Sequence, residues 1–178
     1  DNIHLACFHY ATCRTIHKSY IKDHVKREVC LERHCKCKWN MSSKNWKSAI
    51  SELLREFSFK TTTETLLQTA LETRELADPT IIHEDIAIPH CRSILVDDFR
   101  IIIGKSDSGI PWPEEKVSVI ILFISPVKLS GPSEHMELIK HLAKALRSGG
   151  AEKILSAGSP AEAASILKLS YEVNPGNG

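Results

Sequence analysis

Three residues of this chain carry side chains suited to handling a small anion: Arg74, His90 and His135. His90 stands directly after the apolar run Ile86-Ala87-Ile88-Pro89 and directly before Cys91. Neutral imidazole is the common side chain that acts as a good nitrogen nucleophile near neutral pH. Held at the end of a buried strand it cannot wander, which suits a carrier of phosphoryl groups. A carrier of that kind also needs a donor for the phosphoryl oxygens and a cation that keeps its proton. His135 can supply the first. Arg74 can supply the second, because its guanidinium stays charged and offers a planar fork to two oxygens. The scheme asks for no metal and no cofactor.

Regular elements must bring these residues together. Cys35, Cys37 and Trp39 alternate with Lys36 and Lys38, the two-residue period of a half-buried strand. Ser42 or Ser43 offers an N-cap, and Trp46, Ile50, Leu53, Leu54 and Phe57 mark one face of a helix of about four turns. A second helix is expected from about Thr63 to Leu76, burying Leu66, Leu67, Ala70 and Leu71. Asp78-Pro79 stops it, since proline disfavours a helical predecessor, and a loop is expected next. Ile86 to Ile88, Phe99 to Gly104 and Val117 to Ser125 read as buried strands, with His90 closing the first. Asp107-Ser108-Gly109 and Pro111-Trp112-Pro113 supply turn chemistry between the last two. Met136, Ile139, Leu142, Ala143 and Leu146 then make a helical stripe that begins near His135 and ends at Gly149-Gly150. Ser159-Pro160-Ala161-Glu162 reads as a capping box opening a final helix, with Ile166 and Leu167 inward. Strands interleaved with helices predict an α/β fold, a single central mixed sheet with helices on both faces.

Length and composition set the outer bounds. The chain has 178 residues, 42% hydrophobic and 25% charged, with a net charge of +1. That suits one main domain and gives no overall electrostatic reason for a nucleic-acid partner. Mean hydropathy is −0.16 and no long uncharged apolar run exists, which argues against membrane insertion. The charge is uneven: residues 1–40 hold 8 Lys/Arg against 4 Asp/Glu, and the remainder 15 against 18. Five of the six cysteines fall in the first 37 residues. This shift predicts a boundary between Lys22 and Glu32: a basic, Cys/His-rich extension over 1–30, the main domain over 31–171 and a flexible tail over 172–178. Ile16, Tyr20, Ile21, His24 and Val25 suggest a helix in the extension. The first residue is Asp, consistent with a fragment of a longer or fused protein. No signal-peptide pattern is present, so reduced cysteines and a cytoplasmic location are expected.

The residues around His90 resemble the phosphorylation motif of the enzyme IIA domain, mannitol/fructose type, of the bacterial phosphoenolpyruvate-dependent sugar phosphotransferase system. Arg74-Glu75-Leu76, 16 positions before His90, is similar to the arginine segment that opens the motif in that family. Glu134-His135-Met136, followed by Leu142-Ala143-Lys144-Ala145-Leu146, resembles the segment carrying its second active-site histidine. The likeness runs from roughly Cys35 to Leu169. It implies that His90 accepts a phosphoryl group from the phosphocarrier protein HPr or a paralogue and passes it to an enzyme IIB domain. It implies roles in phosphoryl stabilisation for His135 and in charge compensation for Arg74. Family members also serve as phosphorylation-sensitive regulatory modules, of nitrogen-regulatory type or fused to other domains, that bind a transporter or a transcription regulator.

The chain departs from relatives in two places. They usually carry a glycine-bearing turn just before the strand and a glycine after the histidine, where this chain has His83-Glu84-Asp85 and Cys91. A side chain at Cys91 is expected to narrow access, and the acids to repel a phosphoryl group if they face it. Among the other histidines, His141 reads as a surface residue, and His83, nearer to His90, as a lesser candidate for the site. The set His4, Cys7, His9, Cys13, His17, Cys30, His34, Cys35 and Cys37 invites a zinc reading. It lacks any Cys-x-x-Cys spacing, and Cys35 and Cys37 share one strand face, which suits packing beside Trp39.

Overall fold

The computed structural model describes residues 33–172. The basic extension, its helix around Ile16 to Val25 and all but the first residue of the tail lie outside the described residues.

The chain runs through β1 (His34–Lys38), α1 (Trp46–Arg55), α2 (Thr61–Ala77), β2 (Ile81–His83), β3 (Asp85–Ala87), β4 (His90–Ser93), β5 (Arg100–Pro111) and β6 (Lys116–Pro126). There follow α3 (Ser133–Ala145), α4 (Ala151–Ser156), α5 (Pro160–Ile166) and β7 (Ser170–Tyr171). The seven strands of the described residues form one sheet in the order β2-β3-β6-β5-β1-β7, with β4 also on β6. The sheet is mixed: β5 and β6 are antiparallel, while β3, β4 and β6 are parallel, as are β1 and β5. The β3 and β4 strands lie end to end along one edge of β6, pairing Ile86 with Val119 and His90 with Phe123.

The alternation of β6 divides the core in two. Val119, Ile121 and Phe123 face a cluster with Leu138, Leu142, Ile154 and Leu167 from the C-terminal helices. Ile120, Leu122 and Ile124 face Ile50, Leu53, Leu67 and Leu71 from α1 and α2. With both faces apolar, burial of this strand demands helices on either side. The expected α/β architecture is the observed one.

Several local expectations are corrected. Asn45, not Ser42 or Ser43, caps α1, in a reciprocal pair with Ser48. The helix is ten residues, under three turns, with Phe57 beyond its end. In α2 only Leu67 and Leu71 of the expected stripe are buried; Leu66 is 54% exposed and Ala70 is also exposed. The inward row is instead Leu67, Leu71 and Glu75 at four-residue intervals. A strand, β2, forms almost at once after Asp78-Pro79 where a loop is expected. Asp107-Ser108-Gly109 lie within β5, as a bulge between the pairs Lys105 with Val119 and Ile110 with Val117, and Gly109 takes a positive φ of 68°. Met136 is exposed, and His135 and Leu138 take its place on the buried stripe. Gly149, at φ 77°, breaks the helix as expected, but the additional helix α4 follows it. Ser159 caps α5 by accepting from the Glu162 amide, while Glu162 reaches back to the Gly158 amide in place of Ser159.

Candidate functional site

His90 does not end a strand; it opens β4 after Pro89 interrupts the row begun by β3. Pro89 cannot donate to the ladder, yet its carbonyl accepts the Phe123 amide at 3.1 Å, so the chain stays on β6 through the break. The His90 ring lies parallel to Phe123, with centroids 5.1 Å apart and planes 6° from parallel. Its Nδ1 sits 2.7 Å from the Ile88 carbonyl oxygen. A carbonyl only accepts, so Nδ1 carries the hydrogen and in the neutral ring Nε2 holds the free lone pair.

His135 enters from the first turn of α3. Its ring centroid is 5.3 Å from that of His90 and 5.3 Å from that of Phe123. Its Nδ1 is 2.7 Å from Oγ of the buried Ser125. Burial, then the neighbouring His90, Arg92 and Arg74, hold its pKa down at about 4. His90 is also shifted down, first by burial and then by the charge of Arg74, against the Ile88 hydrogen bond and Glu75, which act upward. Both rings are therefore neutral near pH 7.

Arg74 sits on the last turn of α2, half-exposed. Its Nη1 donates to the Asp78 carbonyl at 2.6 Å and its Nη2 lies 3.7 Å from the Asp78 carboxylate. It closes the helix end and at the same time exerts its charge on both imidazoles.

Sequence reasoning missed Glu75, Phe123, Ser125 and Arg92. Glu75 is fully buried and accepts from the Thr80 amide at 2.9 Å, the Thr80 hydroxyl at 2.7 Å and Trp112 Nε1 at 2.6 Å. The Thr80 carbonyl in turn accepts the Ile88 amide at 2.9 Å, and the Ile88 carbonyl accepts from His90. A continuous chain of hydrogen bonds thus runs from the carboxylate to the His90 ring. Its signal was Glu75 falling four residues after Leu71 on the buried stripe. Ser125 and Arg92 were signalled by strand alternation, because each stands two residues beyond a residue of the site.

The departures at Cys91 and at the acids take on a different meaning in the structure. Cys91 packs on the opposite sheet face from His90, against the cluster under α1 and α2, and burial raises its thiol pKa to about 12. Its side chain does not narrow the histidine face. Asp85 pairs with Val117 and His90 with Phe123, six residues further along β6, or about 20 Å at strand rise. Glu84 and Asp85 are exposed at that far end. His83 is exposed there too, with Nδ1 on the Glu84 carbonyl. His141 is not a free surface residue: it is half-buried, with Nε2 bonded to the Leu167 carbonyl at 2.8 Å. Ile88 and Pro89 are buried as well; the exposed apolar side chains beyond the two strand ends are Ile94, Leu95, Val127 and Leu129. Among the described residues, no group of three or more His, Cys, Asp or Glu is arranged to hold a metal ion. Nor is any described helix long and apolar enough to cross a membrane.

Residues 34–170 match the family described as phosphoenolpyruvate-dependent sugar phosphotransferase system, EIIA 2. The chain belongs to this family. The fold of this EIIA domain is similar to that of the nitrogen regulatory protein IIA-Ntr from Neisseria meningitidis, with a TM-score of 0.62 at 23% identity, covering 74% of this chain and 92% of that one. IIA mannitol from Escherichia coli gives a TM-score of 0.57 at 19% identity over 74% of this chain and 94% of its own. A complex of Escherichia coli IIA mannitol with phosphorylated IIB mannitol gives 0.57 at 20% identity, covering 74% and 92%. At these identities the likeness establishes a shared fold. The EIIA family is one of phosphoryl-transfer components.

Proposed function

We propose that this EIIA domain is a phosphohistidine carrier in which Nε2 of His90 is the acceptor. The observation that carries the reading is the His90 Nδ1 hydrogen bond to the Ile88 carbonyl, which fixes the ring and leaves Nε2 unprotonated beside His135. The lone pair on Nε2 attacks phosphorus in line. As the new N–P bond forms, the bond from phosphorus to the donor atom breaks and its electron pair returns to the donor. Handing the group on repeats the step with His90 as the leaving side.

Transfer of this kind asks mainly for positioning and for charge stabilisation. With the Ser125 hydroxyl donating to Nδ1 of His135, Nε2–H of that ring is free to donate to a phosphoryl oxygen. Arg74 offsets the negative charge from the end of α2. The exposed Ile94 (81%) and Leu129 beyond the strand ends suit docking of protein partners, as these side chains gain burial only in a complex.

The donor we infer is HPr or a paralogue and the acceptor an enzyme IIB domain; a structure of IIA mannitol bound to phosphorylated IIB mannitol exists for one fold relative. The alternative, a phosphorylation-sensitive regulatory module, draws on the fold likeness to IIA-Ntr and keeps the same acceptor histidine. Incubation with phosphoenolpyruvate, enzyme I and HPr, followed by intact mass measurement, should add one phosphoryl group to the wild-type chain and none to His90→Ala. Label retained by His90→Ala overturns the assignment. Chase with IIB domains separates the two roles: transfer supports the transport carrier, and retention supports the regulator.

A further inference from the structure

Arg92 has no part in the scheme so far, and the sheet places it inside the site. On β4 it stands two residues after His90, so the two side chains leave the same sheet face about 6.6 Å apart along the strand. The parallel register sets His90 against Phe123 and Arg92 against Ser125. Those two β6 residues both meet the imidazoles, Phe123 by stacking on His90 and Ser125 by its bond to His135. Arg92 is thus the fourth corner of the patch over which both rings lie.

Its bonding is also unlike that of Arg74. Arg74 is engaged twice by Asp78. Nε of Arg92 is buried and has no hydrogen-bond partner, and no ion pair among the described residues includes Arg92. A guanidinium buried in part with a donor unmet carries a desolvation cost that a bound anion would remove. Arg92 pairs with Ser125, which bonds His135, and its charge is among those that lower the pKa of that ring.

We propose that Arg92 is a second cationic catalytic residue, whose guanidinium grips the phosphoryl oxygens on His90 while Arg74 acts from the helix end. The inference rests on the carrier reading and deepens it. A planar fork suits two phosphoryl oxygens, and a lysine ammonium supplies charge without the fork. The ligand is a dianionic phosphoryl group, first on the donor protein and then on His90.

The test compares wild type, Arg92→Gln and Arg92→Lys in the rate of phosphorylation by HPr, with a urea unfolding curve for each to establish that it folds. Arg92→Gln should slow phosphorylation by about tenfold or more, with Arg92→Lys between it and wild type. In parallel, inorganic phosphate is titrated while the ring signals of His90 and His135 are followed by NMR. Phosphate should shift both rings, with about tenfold weaker binding in Arg92→Gln. The His135 pKa should rise in Arg92→Gln, as expected of a cation beside that ring, while the weakened response to phosphate is what a merely structural arginine would not give. Wild-type phosphorylation rate and phosphate affinity in a folded Arg92→Gln overturn the proposal and leave the carrier reading standing. A wild-type chain that neither HPr nor its paralogue phosphorylates, yet whose phosphate binding weakens in Arg92→Gln, sinks the carrier reading and leaves Arg92 as an anion-binding residue. If phosphate shifts neither ring and Arg92→Gln is phosphorylated normally, the grip does not exist.

Discussion

Two polar clusters are built into the apolar interior of this EIIA domain, and they differ in how completely their hydrogen bonds close. Around Glu75, both carboxylate oxygens are taken by Thr80 and Trp112. Around His90 and His135, each ring is held at Nδ1 and its other nitrogen is left open. Arg92 keeps a buried donor without a partner. A closed cluster fixes the backbone; an open one retains capacity to bind. The two are joined through Thr80 and Ile88, so the closed cluster holds the strand from which the open one acts.

The largest departure from this contrast should come from Glu75→Ala. Removing the carboxylate leaves the Thr80 amide and the indole of Trp112, itself buried, with unmet donors. Loss of about 3 kcal/mol in urea unfolding is expected, a large part of the stability of an ordinary domain. Glu75→Gln keeps one oxygen for the two N–H donors, and the Thr80 hydroxyl can turn to accept from the new amide. It should lose about 1 kcal/mol. A Glu75→Ala cost no greater than that of a surface substitution would show that the cluster is not the anchor described.

The same contrast explains what the sequence disclosed. Periodicity located α1, α2, β6 and α3 because long apolar stripes have no polar competitor, and the Ile-Ala-Ile-Pro-His run with Arg74 and His135 pointed to the site. Short elements escaped: β2 and β7 are three and two residues long and exist through pairing with β3 and β1. Asp107-Ser108-Gly109 carries turn residues that a bulge absorbs into β5, an outcome decided by the partner strand. Glu75 was hidden because a carboxylate on an apolar stripe reads as solvated until Thr80 and Trp112 are seen around it. Arg92 was hidden because only the pairing of β4 with β6 brings it beside Ser125.

The open cluster has its own signature in acid. The His135 pKa is about 4 in the folded protein against 6.5 for a histidine free in water. Between these values the unfolded chain binds a proton that the native protein does not, so stability rises with pH across this window and is lost as pH falls from 6.5 toward 4. The contribution of this one group is about 3 kcal/mol at most. His135→Gln should flatten that part of the curve when urea midpoints are measured from pH 4 to pH 7. An unchanged slope would place the titration elsewhere.

The smallest effect should come from Cys91, which shares a strand with His90 and Arg92 but faces away from them. Its thiol lies among apolar side chains beneath α1 and α2 and has its pKa pushed up to about 12. Near pH 8 it is protonated and half-buried, whereas the thiolate is the reactive form. Cys91→Ala removes one half-buried sulfur and should cost about 1 kcal/mol, with the rate of phosphorylation by HPr within about twofold of wild type. In the native protein at pH 8, alkylation of Cys91 followed by peptide mapping should be far slower than after unfolding. Rapid native alkylation, or a phosphorylation rate that collapses in Cys91→Ala, would mean that the two faces of β4 are not separate and that the thiol belongs to the site.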